Sequence, residues 1–282
     1  MPLLRKIRNH GVKSSMKIGK VLLTRWYLRL RSDRHFVNIA GIRRELLGEK
    51  LLKTSDGKIL YGPFKGMKLA STSWSARDVG SIILGEYERL VVDAIMESPR
   101  SYSTFVDIGA ADGIYAVGCS LSHKFSSSYC FESSEASQMS IRKNAVANNV
   151  ETCITILGTA RSDFLSTLTR SYSVDLSKTL FLIDIEGGEF DLLTEENLKL
   201  MRNSIVIVEI HKDVEGFNSK YETLRRHSSN LFHLSELTSR TNLKNDFKEI
   251  NSWPDEDRQI IFSEGRRYQM SWLVLTPKLE HE

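Results

Sequence analysis

From residue 104 onward, short apolar runs alternate with longer mixed stretches in a regular rhythm. "TFVDIG", "SYCFE", "CITIL", "LFLIDI" and "SIVIVEI" are apolar at both odd and even positions, the pattern of strands covered by helices on both faces. The residues placed near their ends, Asp107, Glu132, Leu157, Asp184 and Glu209, are 25, 25, 27 and 25 positions apart. Between them, "SEASQMSIRKNAVANN" and "EFDLLTEENLKLMRN" carry helix formers behind acidic starts. Such units predict an α/β fold with a doubly wound, mostly parallel sheet. "LFHLSEL" and "MSWLVLTP" add two more strands, for about seven.

Upstream, "LGEYERLVVDAIMES" puts Leu84, Tyr87, Val91, Ala94 and Ile95 on one helical stripe, and "YGPFKGMKLA" has the Gly and Pro punctuation of a hairpin or turn. The polar stretch that includes "NSWPDEDRQIIFSEGRR" reads as an insertion over the rim of the sheet. The chain then divides into an N-terminal extension, 1–50, and one domain, 51–282, with hairpin and helix in 58–97 and the sheet core in 104–276.

Composition is that of an ordinary soluble protein, 41% hydrophobic and 26% charged. The apolar runs fall short of the roughly 20 residues that span a bilayer, and the N-terminus has no signal-peptide core, so a cytoplasmic location is expected. Cys119, Cys130 and Cys153 share no ligand spacing and read as small core residues. The net charge of +4 is uneven: residues 1–50 hold 13 Lys+Arg against 3 Asp+Glu, leaving 26 against 32 for the rest.

In open α/β sheets small molecules bind at the carboxyl ends of the strands. The first unit supplies "VDIGAADGIYAVG", in which Gly109, Ala111 and Gly113 permit a tight turn and close approach of a flat ligand. The spacing is neither the dinucleotide fingerprint nor a phosphate-cradling P-loop, so a cofactor without pyrophosphate is favoured. Asp107 is placed to accept from a cationic amino group, and Glu132, ending the second strand, to accept both hydroxyls of a ribose. An amino-acid cation plus a ribose, without phosphate, describes S-adenosylmethionine (SAM).

These residues resemble the class I SAM-dependent methyltransferases with their Rossmann-like sheet, and more narrowly the FkbM family. "FVDIGAADGIYA" is similar to that family's first motif, "LIDIEGGEFDLL" to its D-x-E-G-x-E-x-x-L-L segment, and "SIVIVEIH" to the strand that ends in E-x-H. The resemblance covers residues 61 to about 275. It implies a seven-stranded sheet with an antiparallel last strand, SAM as methyl donor and a hydroxyl acceptor on a sugar, glycan or natural product. It also implies cofactor roles for Asp107, Gly109, Ala111, Gly113 and Glu132. Asp163 is placed to meet the adenine amino group.

Methyl transfer needs an aligned acceptor, and for a hydroxyl it helps to have a base. Asp184 and Glu186 share a parity at the end of the fourth strand, as do Glu209 and His211 at the end of the fifth. Three readings stay open for these four residues. His211 or Asp184 is the general base; or Asp184, Glu186 and Glu209 hold a hard cation such as Mg²⁺; or the groups are structural. The base is preferred, with no metal assigned. Glu189 reads as an anchor in the first turn of the next helix. Acceptor contacts are expected from Tyr87, Glu88, Trp253, Arg258 and Arg266.

Residues 1–34 interleave cationic and apolar positions. They suit a helix packed on the domain, a peripheral contact with an anionic membrane or, less readily, a nucleic acid. Nothing in the catalytic half offers a base-stacking platform. Alternative functions are an N- or nucleic-acid methyltransferase using the basic arm, or a silent SAM-binding scaffold at a membrane. The acceptor itself and the oligomeric state are not written in the sequence.

Overall fold

The computed structural model describes residues 33–73, 76–238, 247–266 and 269–278. The basic arm therefore lies outside the described residues, apart from the first positions of helix α1 (Asp33–Thr54). Among the described residues no helix is long and apolar enough to cross a membrane.

Seven strands form one sheet: β1 (Thr104–Ile108), β2 (Ser127–Phe131), β3 (Ile154–Leu157), β4 (Thr179–Ile183), β5 (Ile205–Glu209), β6 (Phe232–Thr238) and β7 (Ser271–Pro277). Their order is β3-β2-β1-β4-β5-β7-β6. The first five are parallel, and β7 runs antiparallel between β5 and β6. This is the doubly wound arrangement expected from the repeat, with the antiparallel last strand implied by the resemblance. The chain crosses from the β1-β2-β3 half to the β4-β5 half beside β1, so the carboxyl ends of β1 and β4 flank the point where strand order reverses.

Strand alternation sorts the core into two layers. Phe105, Cys130, Leu182, Ile207 and Trp272 face α1, α2 (Val79–Ile83), α3 (Arg89–Glu97), α4 (Ile114–Leu121) and α5 (Glu135–Ala147). Val106, Ile108, Phe181, Val208 and Leu273 face α6 (Phe164–Tyr172), α7 (Glu189–Leu192), α8 (Glu195–Leu200) and α9 (Phe217–Leu231). Both faces of β1, β4 and β5 are wholly buried, which is why apolar residues occupy both parities in these strands. Cys119 and Cys130 are buried and all three cysteines are free, in keeping with a packing role.

Three local expectations are revised. The stripe from Leu84 does not form one helix: Gly85 and Glu88 take left-handed φ of 70° and 42°, and α3 begins only at Arg89. That break carries Tyr87 out of the helix and into the cleft described below. The stretch after β4 splits into α7 and α8, because Thr194 is extended and its hydroxyl caps α8 by accepting from Asn197 N–H at 3.2 Å. The segment between β6 and β7 is no loose cover: Ile250, Trp253, Ile261 and Phe262 are core residues, and α10 (Asp255–Ile260) packs on α1. Helix α1 itself runs across position 50 and buries Leu47 and Leu51 in the same core.

Candidate active site

A cleft of about 740 Å³ opens at the carboxyl ends of β1, β2 and β4. One wall is the loop after β1. Gly109 and Ala110 donate backbone N–H to the Phe131 carbonyl at 2.9 and 3.1 Å, and Gly113 closes the turn onto Ala110 O at 2.7 Å. Gly109, Ala111 and Gly113 have φ of 90°, 45° and 74°, so the loop turns left three times in five residues. Packing within the protein by itself requires both glycines. A Cβ at Gly109 would overlap the carbonyl of Asp184, and one at Gly113 would crowd Ile141 at 3.1 Å. Gly109 and Ala111 also line the cleft.

Glu132 stands at the end of β2 and faces this cleft. One carboxylate oxygen accepts from Ala111 N–H at 2.8 Å and the other from Ser134 N–H at 2.7 Å. The Ser133 hydroxyl is a longer donor, at 3.5 Å, to the oxygen that takes Ser134 N–H, so the group is held rigidly between the two loops and the oxygen bonded to Ala111 keeps a lone pair. Ser134 in turn caps α5, accepting from Ser137 N–H at 3.3 Å. Asp112, buried, accepts from the N–H and hydroxyl of Ser73 at 2.7 and 2.6 Å and so ties the segment after the hairpin to the cleft.

Asp107 does not line the cleft. It points into the layer beneath α4, 2% exposed, and its Oδ2 has no hydrogen-bond partner among the described residues. Burial, reinforced by the Glu132 charge, pushes its pKa up to about 7. Asp163 is likewise displaced: it is exposed at the start of α6, while Thr159, Ala160 and Ser162 form the rim there.

The other end of the cleft is acidic. Asp184, Glu186 and Asp191 line it, with Glu209 and His211 buried behind. Nε2 of His211 lies 3.6 Å from Asp184, 3.5 Å from Glu186 and 4.0 Å from Glu209. The four predicted catalytic residues therefore converge. Asp184, at the cleft wall, is held above the usual carboxylate range by its partial enclosure among protein groups and by the charges of Glu209 and Glu88. Burial alone would lower the pKa of His211. Its hydrogen bond to Glu189 and the surrounding carboxylate charges outweigh that and raise it.

Glu189, expected to anchor a helix, does more. It is fully buried, accepts from Gly187 N–H at 2.8 Å and from His211 N–H at 3.0 Å, and its Oε1 lies 3.2 Å from His211 Nδ1.

Of the expected acceptor contacts, two do not reach the site. Trp253 is 7% exposed in the core, with the Lys50 ammonium 4.8 Å from its ring, and Arg258 pairs with Asp255 of its own helix. Arg266 does arrive, but its guanidinium bridges Glu88, Glu209 and Glu264, and it stacks over Trp272 at 5.4 Å. Glu88 lies behind Tyr87 rather than in the cleft. It is 7% exposed and also accepts from the Tyr115 hydroxyl; burial, with Glu209 and Glu264 nearby, lifts its pKa to about 7. Only Tyr87 among these residues lines the cleft.

Tyr115 and Asp112 are site residues that sequence reasoning passed over, although both flank the glycine turn. Ligand-type atoms of Asp184, Glu209 and His211 fall within 4.8 Å of one another. The Arg266 guanidinium on Glu209 already supplies positive charge there, which weakens the case for a hard cation.

No protein-family model matches the chain, and no curated protein matches it. Among solved structures it is similar to the tRNA methyltransferase TrmK of B. subtilis, at 10% identity and a TM-score of 0.43, over 66% of this chain and 65% of that one, just under two thirds. It is also similar to a putative tRNA methyltransferase of Streptococcus pneumoniae solved with SAM (13%, TM-score 0.43, 68% and 75% covered) and to a precorrin-6y methyltransferase of Geobacter metallireducens (13%, TM-score 0.47, 74% and 93% covered).

Proposed function

We propose that the chain is a SAM-dependent methyltransferase acting on a hydroxyl of a sugar, glycan or related polyhydroxylated metabolite. The observation that carries this reading is the placement of Glu132. Its carboxylate is fixed at the cleft by the backbone N–H groups of Ala111 and Ser134, with the Ser133 hydroxyl a longer third donor, and the acceptor capacity that remains suits the hydroxyls of a ribose. The cleft is large enough for a nucleoside-sized ligand. Residues 109–111, Glu132 and Ser133 would hold the cofactor, with Thr159, Ala160 and Ser162 at its far end. Asp107 backs the loop from below rather than touching the ligand.

When bound, SAM supplies an electrophilic methyl group. The chain's own residues do the rest. Asp184 and Glu186 at the cleft wall orient the acceptor hydroxyl, and its proton passes to Nε2 of His211, which faces both carboxylates. Tyr87 and Ile82 close the apolar side, where exclusion of water strengthens these contacts.

The same geometry bears on the acceptor. Asp184, Glu186 and Asp191 line this end of the cleft, with Glu88, Glu189 and Glu209 behind, and the nearby guanidinium is already bound to three carboxylates. An acidic wall favours a neutral polyol and opposes a phosphodiester chain. The alternative of a nucleic-acid acceptor drew on the basic arm, which lies outside the described residues. The narrower FkbM resemblance belongs to this proposal and rests on the motif residues of 105–116, 182–193 and 204–211.

Incubation with methyl-labelled SAM and parallel panels of sugars, glycans and total RNA tests the reading. Label on a sugar hydroxyl is expected, and label confined to RNA would overturn the assignment.

A further inference from the structure

The completely buried carboxylate of Glu189 is the least expected feature of the molecule. A buried carboxylate is normally neutralised by a cation or by several donors. Here two of the donors are backbone N–H groups, of Gly187 and His211, and the remaining contact is Nδ1 of the His211 ring. The Gly187 bond closes the left-handed turn after β4, where Glu186 and Gly187 have φ of 52° and 103°. Glu189 thus joins the turn that carries Glu186, the end of β5 and the imidazole in one hydrogen-bonded unit. Neither backbone donor belongs to the four-residue helix that supplies Glu189, so its carboxylate is spent on the turn and the strand end rather than on that helix.

Resting on the methyltransferase reading above, we infer that Glu189 is a positioning residue: by accepting Nδ1–H it fixes the tautomer and ring orientation of His211, so that Nε2 is the atom presented to the acceptor proton. Both oxygens of Glu189 already accept backbone N–H groups, so the carboxylate stands toward Nδ1 as an acceptor and Nδ1 carries the hydrogen. The neutral ring then has its lone pair on Nε2. Nε2 is the nitrogen aimed at Asp184 and Glu186 at the cleft wall and at Glu209 behind it, whereas Nδ1 faces away from them. Both ring nitrogens face carboxylate oxygens, Glu189 at Nδ1 and Asp184, Glu186 and Glu209 at Nε2, so without the Glu189 contact the hydrogen would be drawn to Nε2. The asymmetry comes from distance: 3.2 Å with hydrogen-bond geometry at Nδ1, against 3.5 to 4.0 Å without it at Nε2. The pairing is chemically that of an oriented general base, in which the carboxylate holds the ring and stabilises the imidazolium without itself taking the proton.

The spectroscopic signature of the ring tests this without knowledge of the acceptor. In ¹⁵N-labelled full-length protein, the His211 imidazole is expected to be the Nδ1–H tautomer in its neutral form. In Glu189→Gln the side-chain amide can present its NH₂ to Nδ1, and the tautomer should turn over to Nε2–H; Glu189→Asp should restore part of the native signal. A neutral His211 that is Nε2–H in the wild-type protein would overturn the inference, and so would a tautomer unchanged in Glu189→Gln. The wild-type spectrum alone suffices should that variant fail to fold. Titration of SAM into the same wild-type sample separates the two claims: absence of SAM binding would sink the methyltransferase reading and leave the tautomer result standing on its own.

Discussion

The backbone carbonyl of Asp184 occupies the space that a side chain on Gly109 would fill. The loop after β1 and the turn after β4 are thus packed backbone against backbone, with Asp184 N–H donating to Ile108 O at 2.9 Å just beside the contact. The two walls of the cleft are set at a fixed distance by the missing Cβ. Gly109→Ala must either displace the turn that carries Asp184 and Glu186 or force alanine into φ near 90°. Destabilisation of about 3 kcal/mol or more is expected in urea unfolding, among the larger single-residue effects. Ala111, already at φ 45° and bonded to Glu132, should gain rather than lose stability on replacement by Gly, by about 1 kcal/mol or less.

Arg266 is the central cation of the acidic end. Its replacement by Met would leave Glu88 and Glu209, both nearly inaccessible, without their counter-charge. Breaking a buried pair from one side is destabilising by about 3 kcal/mol. Glu264→Gln removes only the outermost partner and should be close to neutral. If Arg266→Met unfolded at the same urea concentration as the native chain, Arg266 would be free for an acceptor, and the account of the acidic end would need revision.

Asp107 makes stability depend on pH. Its folded pKa is raised to about 7, above the usual carboxylate value, by burial and by Glu132. Between roughly pH 4 and 7 the folded state therefore holds a proton that the unfolded chain releases, so stability falls as pH rises through that window and levels off above it. Asp107→Asn, which stays neutral, should flatten this part of the profile and raise stability at pH 8 by about 1–3 kcal/mol in the absence of ligand. Thermal unfolding of both proteins at pH 5 and pH 8 measures the difference; an equal shift at both pH values would contradict the burial of an ionisable group at 107.

With the guanidinium of Arg266 on Glu209, the cluster of Asp184, Glu209 and His211 carries its own counter-charge. Mn²⁺ added to the protein is accordingly expected to stay hydrated, with the spin-resonance signal of the free ion undiminished. A loss of that signal that Asp184→Asn reverses would restore the cation reading.

The doubly wound, mostly parallel sheet, the doubly buried strands and the convergence of Asp184, Glu186, Glu209 and His211 were legible because they follow from period and strand-end position, which are properties of consecutive residues. What escaped was decided across the chain. Nothing local shows that Glu88 breaks a helical stripe at φ 42°, that Trp253 lies over Lys50 rather than over a sugar, or that the three carboxylates around Arg266 come from positions 88, 209 and 264. Glu189 was read for its own helix, while its partner stands 22 residues on in the neighbouring strand's end. Asp107 looked like a strand-end acid, yet strand parity turns it into the layer under α4, and Glu132 alone of that pair faces the cleft.

The central claim is that the cleft holds SAM through Glu132. Calorimetric titration of SAM into the intact protein measures it most directly: the native chain should bind one equivalent, and Glu132→Ala, which removes the paired acceptors, should bind at least tenfold more weakly. No heat of binding from the native chain, or an affinity that Glu132→Ala leaves unchanged, would contradict the account.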